Sequence, residues 1–194
     1  MILGLTGTIC AGKSCACEML AQQGFRILSF GAEVTEFIKE ELESRGPMTR
    51  ERMQYWGRRA REIYSTDFWE RRLFAKINEF DSERYVVDGF RYVEQVENFR
   101  RAYEDFYLVA IDAQPRLRYE RMLARARPGD AKNWQEFLHI DARDLGAIAG
   151  QETAKCIALA DAIVMNNSTL EEFERSVKHV VEHFERARKL GLKR

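Results

Sequence analysis

The chain of 194 residues carries no excess charge of either sign, with 31 Lys and Arg set against 31 Asp and Glu. A balanced molecule has no overall field to draw it to nucleic acid or to an acidic membrane surface. No apolar run approaches the roughly 20 residues of a membrane span. Ile2 to Leu5 is too short for a signal peptide and lacks its basic flank. A cytoplasmic protein with neither membrane nor nucleic-acid partners is therefore expected. Only four cysteines are present, Cys10, Cys15, Cys17 and Cys156, and none forms a C-x-x-C pair, so a reducing compartment is the simple reading. Repeats, low-complexity tracts and evident linkers are also missing. One α/β domain over residues 1–194 is implied, long enough to bury about 70% of its unfolded surface without metal or disulfide staples. His179 and His183 stand at i, i+4 but lack the intervening Glu of H-E-x-x-H, and read as surface residues.

What is present begins at residue 7. Gly7-Thr8-Ile9-Cys10-Ala11-Gly12-Lys13-Ser14 is a complete G-x-x-x-x-G-K-S phosphate-binding loop, placed after the apolar run Met1 to Leu5. Chance would produce it in well under about one per cent of chains this long. Gly7 and Gly12 let the backbone turn its N–H groups toward phosphate oxygens, and the helix starting near Lys13 adds its positive end. Lys13 reaches the β- and γ-phosphates and the Ser14 hydroxyl is placed for Mg²⁺. Thr8, Cys10, Ala11 and Cys15 complete the expected ATP-binding set. Cys10 and Cys15 read as small packing residues, although the helix terminus and Lys13 would favour their thiolates.

Apolar runs alternate with stretches of helical period. Strands are predicted over 1–6, 25–29, 84–88, 106–111 and 162–165, which gives a parallel sheet covered on both faces. Residues 30–80 carry two or three helices with no strand, broken at Arg45-Gly46-Pro47, and read as an acceptor-binding insertion. Within it Met53, Trp56, Ala60 and Tyr64 mark a buried face, while Arg50, Gln54, Arg58 and Arg61 share another as a candidate cradle for a second phosphorylated ligand. The last helix is marked by Leu170, Phe173, Val177, Val180 and Phe184, with Ser168 and Glu171 as its capping box. Of the 31 basic residues 23 are Arg, the type suited to bidentate phosphate clamps. Five of them, Arg116, Arg118, Arg121, Arg125 and Arg127, crowd residues 116–132 of a 116–145 lid region, where Arg121 and Arg125 share a face and are expected to close on the transferred group.

Tyr85-Val86-Val87-Asp88 is an apolar strand ending in a carboxylate fit to hold a Mg²⁺ water. Asp88-Gly89-Phe90-Arg91 followed by Gln95 resembles the D-G-F-P-R-x-x-x-Q segment of adenylate kinases without its proline. The resemblance implies that Arg91 grips the acceptor phosphate and Gln95 the acceptor base. Gln54-x-x-Gly57-x-x-x-Arg61 with Asp67-x-Trp69 is similar to a pattern of phage-type deoxynucleoside monophosphate kinases. Ser29-Phe30-Gly31 and Ala160 to Asn167 resemble segments of uncharacterised archaeal kinase-like proteins akin to dephospho-coenzyme A kinases. On that resemblance Gly31 lines the acceptor site and Asn166 the ATP base.

The run Phe30 to Thr35 departs from adenylate kinases in lacking the Asp and Arg that follow their second strand, and from dephospho-coenzyme A kinases in lacking an aspartate base. A phosphate acceptor, already ionised, needs no base. The expectation is a three-layer P-loop fold, monomeric or homodimeric, in which ATP and Mg²⁺ serve phosphoryl transfer to a nucleoside or deoxynucleoside monophosphate. Lys13, Arg91, Arg121 and Arg125 are the expected catalytic residues, and Ser14 and Asp88 the metal ligands. A hydroxyl-acceptor kinase with Glu33 or Asp88 as base is the alternative, and a nucleotide switch with little turnover a third. A GTPase is disfavoured, since Asn166-Asn167-Ser168-Thr169 is the nearest approach to N-K-x-D.

Overall fold

Runs of Ile, Val and Leu that stay apolar on both sides of the pleat belong in a sheet covered on both faces, and the five found in the sequence all become strands. The computed structural model describes residues 1–40, 46–80, 82–146 and 151–191. The strands are β1 (Ile2–Gly7), β2 (Arg26–Ser29), β3 (Tyr85–Asp88), β4 (Phe106–Asp112) and β5 (Ala162–Met165). They form one parallel sheet in the order β2-β3-β1-β4-β5. The central position of β1 brings its C-terminal end, where the phosphate loop starts, between the ends of β3 and β4.

The helices are α1 (Lys13–Gln22), α2 (Phe30–Glu40), α3 (Arg50–Ile63), α4 (Phe68–Glu79), α5 (Val93–Ala102), α6 (Pro115–Arg125), α7 (Trp134–Leu145), α8 (Thr153–Ala158) and α9 (Leu170–Lys189). Alternate strand residues choose opposite layers. Leu3, Leu5, Tyr107, Val109 and Ile111 pack with α1 and α9, while Ile2, Tyr85, Val87, Phe106 and Leu108 pack with α2, α4, α5 and α8. Tyr107 stacks on Phe184 of α9 at 4.4 Å between centroids. The result is the three-layer α/β P-loop fold.

The 30–80 insertion consists of α2, α3 and α4; Arg45, at the expected break, lies outside the described residues. Its recognisable sequence segments serve the fold. Ser29 Oγ accepts from the amides of Gly31 and Ala32 at 3.1 and 3.4 Å and so caps α2. The Trp69 indole donates to Gly57 O at 2.7 Å, and Asp67 is the N-cap residue of α4. Asp161 joins β4 to the start of β5 by accepting from Leu108 N at 2.7 Å. Of the expected buried face of α3, Ala60 is buried and Met53 and Trp56 are half-buried against the core, but Tyr64 is exposed.

Two details of α9 differ from expectation. The cap is Thr169, which accepts from Glu172 N at 3.3 Å, so the helix starts one residue later than Ser168 implied. The fully buried positions are Phe173, Val177, Val181 and Phe184, with Val180 half-buried and Leu170 exposed. Over the phosphate loop, α6 and α7 are docked through a small cluster of Ile9, Met122, Ala131 and Phe137. Among the described residues no helix is long and apolar enough to cross a membrane.

Candidate active site

The loop between β1 and α1 is forced by its neighbours as much as by any ligand. Gly7 has φ +130° and Gly12 φ +111°. A Cβ on Gly7 would lie 1.9 Å from Ile111 O, and one on Gly12 would lie 2.4 Å from Asn166 Nδ2. Both glycines thus admit the ends of β4 and β5 close to the loop, a reason additional to leaving room for phosphate. Gly12 is the N-cap of α1 and no side chain caps the first amides, which leaves these donors to an anion at the positive helix end. Lys13 Nζ folds back onto Gly7 O and Thr8 O at 2.7 and 2.8 Å. Burial, aided by Arg91, holds the ammonium's pKa down to about 8, against the opposing pull of Asp88, Asp144 and Cys10.

The rest of the donor side is braced from three strands. Thr8 Oγ1 donates to Asp112 Oδ1 at 2.6 Å. Asn166 Nδ2 donates to Ala11 O at 2.8 Å, and Arg121 reaches Ala11 O at 3.4 Å and Asn166 O at 2.9 Å. Asp88, paired with Leu5 at the end of β3, has a buried Oδ1 without a partner. An orphaned carboxylate oxygen beside a phosphate loop is costly unless a cation or donor completes it. With the exposed Ser14 hydroxyl at the start of α1, it fits a Mg²⁺ ion carried by a nucleotide.

Past the end of β3, Arg91 Nη1 donates to Asp144 Oδ1 at 2.5 Å and to Gln151 Oε1 at 3.0 Å. Arg50 reaches Asp130 Oδ1 at 3.8 Å, and burial lowers its pKa against the pull of Asp144. Arg125 forms a two-pronged pair with Asp130, at 2.9 and 2.5 Å. Lys13, Arg50, Arg91 and Arg125 are thus interleaved with Asp88, Asp130 and Asp144 in one charged cluster beside the loop. Gln54 lies half-buried one turn beyond Arg50 on α3.

Other expected residues have different work. Gln95 Oε1 accepts from the amides of Arg91 and Tyr92 at 2.9 and 3.1 Å, so it caps α5 rather than presenting that oxygen to a base. Asn166 Nδ2 is bonded to Ala11 O and so braces the loop. Arg121 is likewise bonded to the carbonyls of Ala11 in the loop and Asn166 just past β5. The Arg50–Arg61 stripe divides. Arg58 pairs with Glu62 on the exposed surface, and Arg61 pairs with Glu94 at 2.5 Å over the Tyr92 ring. Gly31 sits in the capped first turn of α2. Glu33, one candidate base, is buried and tied to Arg72 at 3.1 Å and Lys76 at 2.7 Å. Burial also pushes the Cys10 and Cys15 thiols up, outweighing Arg125 and Lys13 at Cys10 and Arg121 at Cys15, so these are packing residues.

Asp141 and Asp144 carry no mark in the sequence, and Arg118 stands there only as one of the lid arginines. Arg118 is buried and pairs through both nitrogens with Asp141, its Nη2 lying 2.9 Å from Oδ2, while Nε donates to Ala113 O at 2.9 Å. Asp144 stands one turn after Asp141 on α7. The only available signal was that i, i+3 spacing of acids, which is commonplace on exposed helices.

A family model described as an AAA domain matches residues 3–139. A UPF0200 protein of Pyrococcus horikoshii is 32% identical over 186 residues, covering 93% of this chain and 96% of its own length. The chain belongs to the AAA-domain family, among the UPF0200 proteins. Its fold is similar to that of shikimate kinase from Bacteroides thetaiotaomicron, with a TM-score of 0.65, 17% identity and coverage of 95% of this chain and 98% of that one. It is also similar to dephospho-CoA kinase from Campylobacter jejuni, at TM-score 0.52 and 15% identity, covering 94% and 96%. At such identities the likeness is one of fold, and the fold of this UPF0200 chain is that of a P-loop kinase.

Proposed function

We propose that this UPF0200 chain transfers the γ-phosphoryl group of ATP to the phosphate of a nucleoside or deoxynucleoside monophosphate. The observation that carries the reading is the clustering of Lys13, Arg91 and Arg50 beside the phosphate loop while Glu33 is locked into ion pairs with Arg72 and Lys76. A cluster in which four cations meet three carboxylates, with no free base beside α2, suits an acceptor that is already anionic. Lys13 and the uncapped amides of α1 hold the donor phosphates. Ser14 and Asp88 would hold Mg²⁺, which when bound supplies charge neutralisation between donor oxygens. Arg91 and Arg50 orient the acceptor, and Arg125, braced by Asp130, belongs to the same cluster. Ile9 and its cluster pack α6 and α7 against the loop. Catalysis here is positioning and electrostatics, with no covalent intermediate.

The orphaned Asp88 Oδ1 also supports a second reading, in which Asp88 takes a proton from a hydroxyl acceptor. ADP release measured over a panel of nucleoside and deoxynucleoside monophosphates and hydroxyl-bearing coenzyme precursors separates the two. Turnover is expected with a monophosphate, and Lys13→Ala should reduce it by about 100-fold or more while leaving the circular dichroism unchanged. Full activity in Lys13→Ala refutes the donor assignment. Tight ATP binding with no transfer to any acceptor identifies a nucleotide switch instead.

A further inference from the structure

Like charges that converge in a poorly solvated cleft splay apart unless something fixed lies between them. Lys13, Arg50 and Arg91 lie near enough to act on one another, and the carboxylate in contact with Arg91 among them is Asp144. It is 2% exposed in the last turn of α7. Its Oδ1 takes the 2.5 Å bond from Arg91, its charge acts on both Arg50 and Lys13, and its Oδ2 is buried without a partner. Gln151 takes the second bond from the same Nη1. Among the described residues, Nε and Nη2 of Arg91 have no partner. The guanidinium is therefore held by one corner. Its Nε–Nη2 edge, the one that matches two oxygens of a phosphate, is left open.

We propose that Asp144 is the positioning residue of the acceptor site, fixing Arg91 so that its open edge meets the acceptor phosphate, and that α7 ties this edge to the donor loop. The tie runs through Asp141, on the same face of α7 one turn earlier. Asp141 grips Arg118, whose Nη1 also reaches Ile9 O in the phosphate loop at 3.5 Å. One helix thus carries two acids, one set on the arginine that touches the donor loop and the other on the arginine of the acceptor side. Motion of α7 moves both, so donor and acceptor sites keep their spacing, on which in-line transfer depends. The proposal rests on the phosphate-acceptor reading for its target, and on the Asp144–Arg91 contact alone for its mechanism.

The test reads Arg91 side-chain nitrogen resonances in ¹⁵N-labelled full-length protein, assigned with Arg91→Lys, while inorganic phosphate is titrated without ATP. In the wild type the two Nη groups should be resolved, because Asp144 and Gln151 stop their rotation, and phosphate should shift Nε–H saturably. In Asp144→Asn the Nη signals should coalesce and phosphate affinity at Arg91 fall about tenfold, the loss of one charge-assisted contact. Asp144→Glu should recover part of both. In turnover the acceptor KM should rise by the same factor and the ATP KM change much less, a split that a merely structural role would not give.

Freely averaging Nη groups in the wild type overturn the proposal, whether or not any variant folds. So does a folded Asp144→Asn protein with unchanged Arg91 signals and phosphate affinity. Restricted Nη groups that depend on Asp144, with no response to phosphate, uphold the positioning and overturn its phosphate target together with the functional reading above.

Discussion

Raising the pH should weaken ATP binding through one residue. In the empty protein burial holds the Lys13 pKa to about 8 instead of 10.5. A triphosphate placed against it favours the ammonium, so binding from the neutral form must take up a proton. The apparent Kd then scales as one plus the ratio of neutral to charged lysine, about 1.1 at pH 7, about 2 at pH 8 and about 11 at pH 9. Between pH 7 and 9 affinity should fall about tenfold, with a proton uptake near 0.1 per ATP at pH 7, about 0.5 at pH 8 and about 0.9 at pH 9.

Unfolding does not mimic this on Lys13's account. With the folded pKa below the unfolded one, the unfolded chain binds more protons between about pH 8 and 10.5, so stability gained from this residue rises with pH over that window. Calorimetric titrations in two buffers of different ionisation enthalpy give both quantities, and Lys13→Met, which cannot titrate, supplies the control. A wild-type Kd that stays flat from pH 7 to 9, or an unchanged slope in Lys13→Met, would refute the reasoning.

Gly12→Ala should abolish ATP binding and lower the melting temperature, because the new methyl meets Asn166 Nδ2 at 2.4 Å in a backbone conformation that alanine resists; wild-type affinity in an equilibrium binding assay would contradict it. Asp141→Ala should cost about 3–5 kcal/mol in urea unfolding, since it strands the buried Arg118 guanidinium among apolar neighbours. Gln95→Ala should cost about 1 kcal/mol of stability through the lost α5 cap. Its acceptor KM should stay within about twofold if capping is the main work of that side chain.

The strands and the loop could be read directly because their signals are local. Continuous apolar runs such as Phe106 to Ile111 leave few alternatives to a buried strand, and the two glycines and Lys13 of the loop stand within one octapeptide. The cap of α9 was harder, as Ser168 and Thr169 are equally able and the choice depends on where the chain leaves β5. Val181, rather than Val180, is the valine fully buried beside Val177 and Phe184. Gln95 shows the limit of a resemblance: without the family's proline, the chain still turns after Phe90, and the glutamine oxygen goes to the two amides that the turn leaves bare.

By itself the sequence determined a parallel sheet, a phosphate-binding corner at the end of its first strand, and a helical insertion before the third. Periodicity and steric freedom act over a few neighbours, so the order of residues suffices for these. Only the tertiary structure decided which of the 23 arginines join the cluster beside the loop and which are struts or solvated pairs. An arginine's role is set by the carboxylate that it meets, and those partners lie far along the chain: Arg91 finds Asp144 53 positions away, and Arg118 finds Asp141 23 positions away.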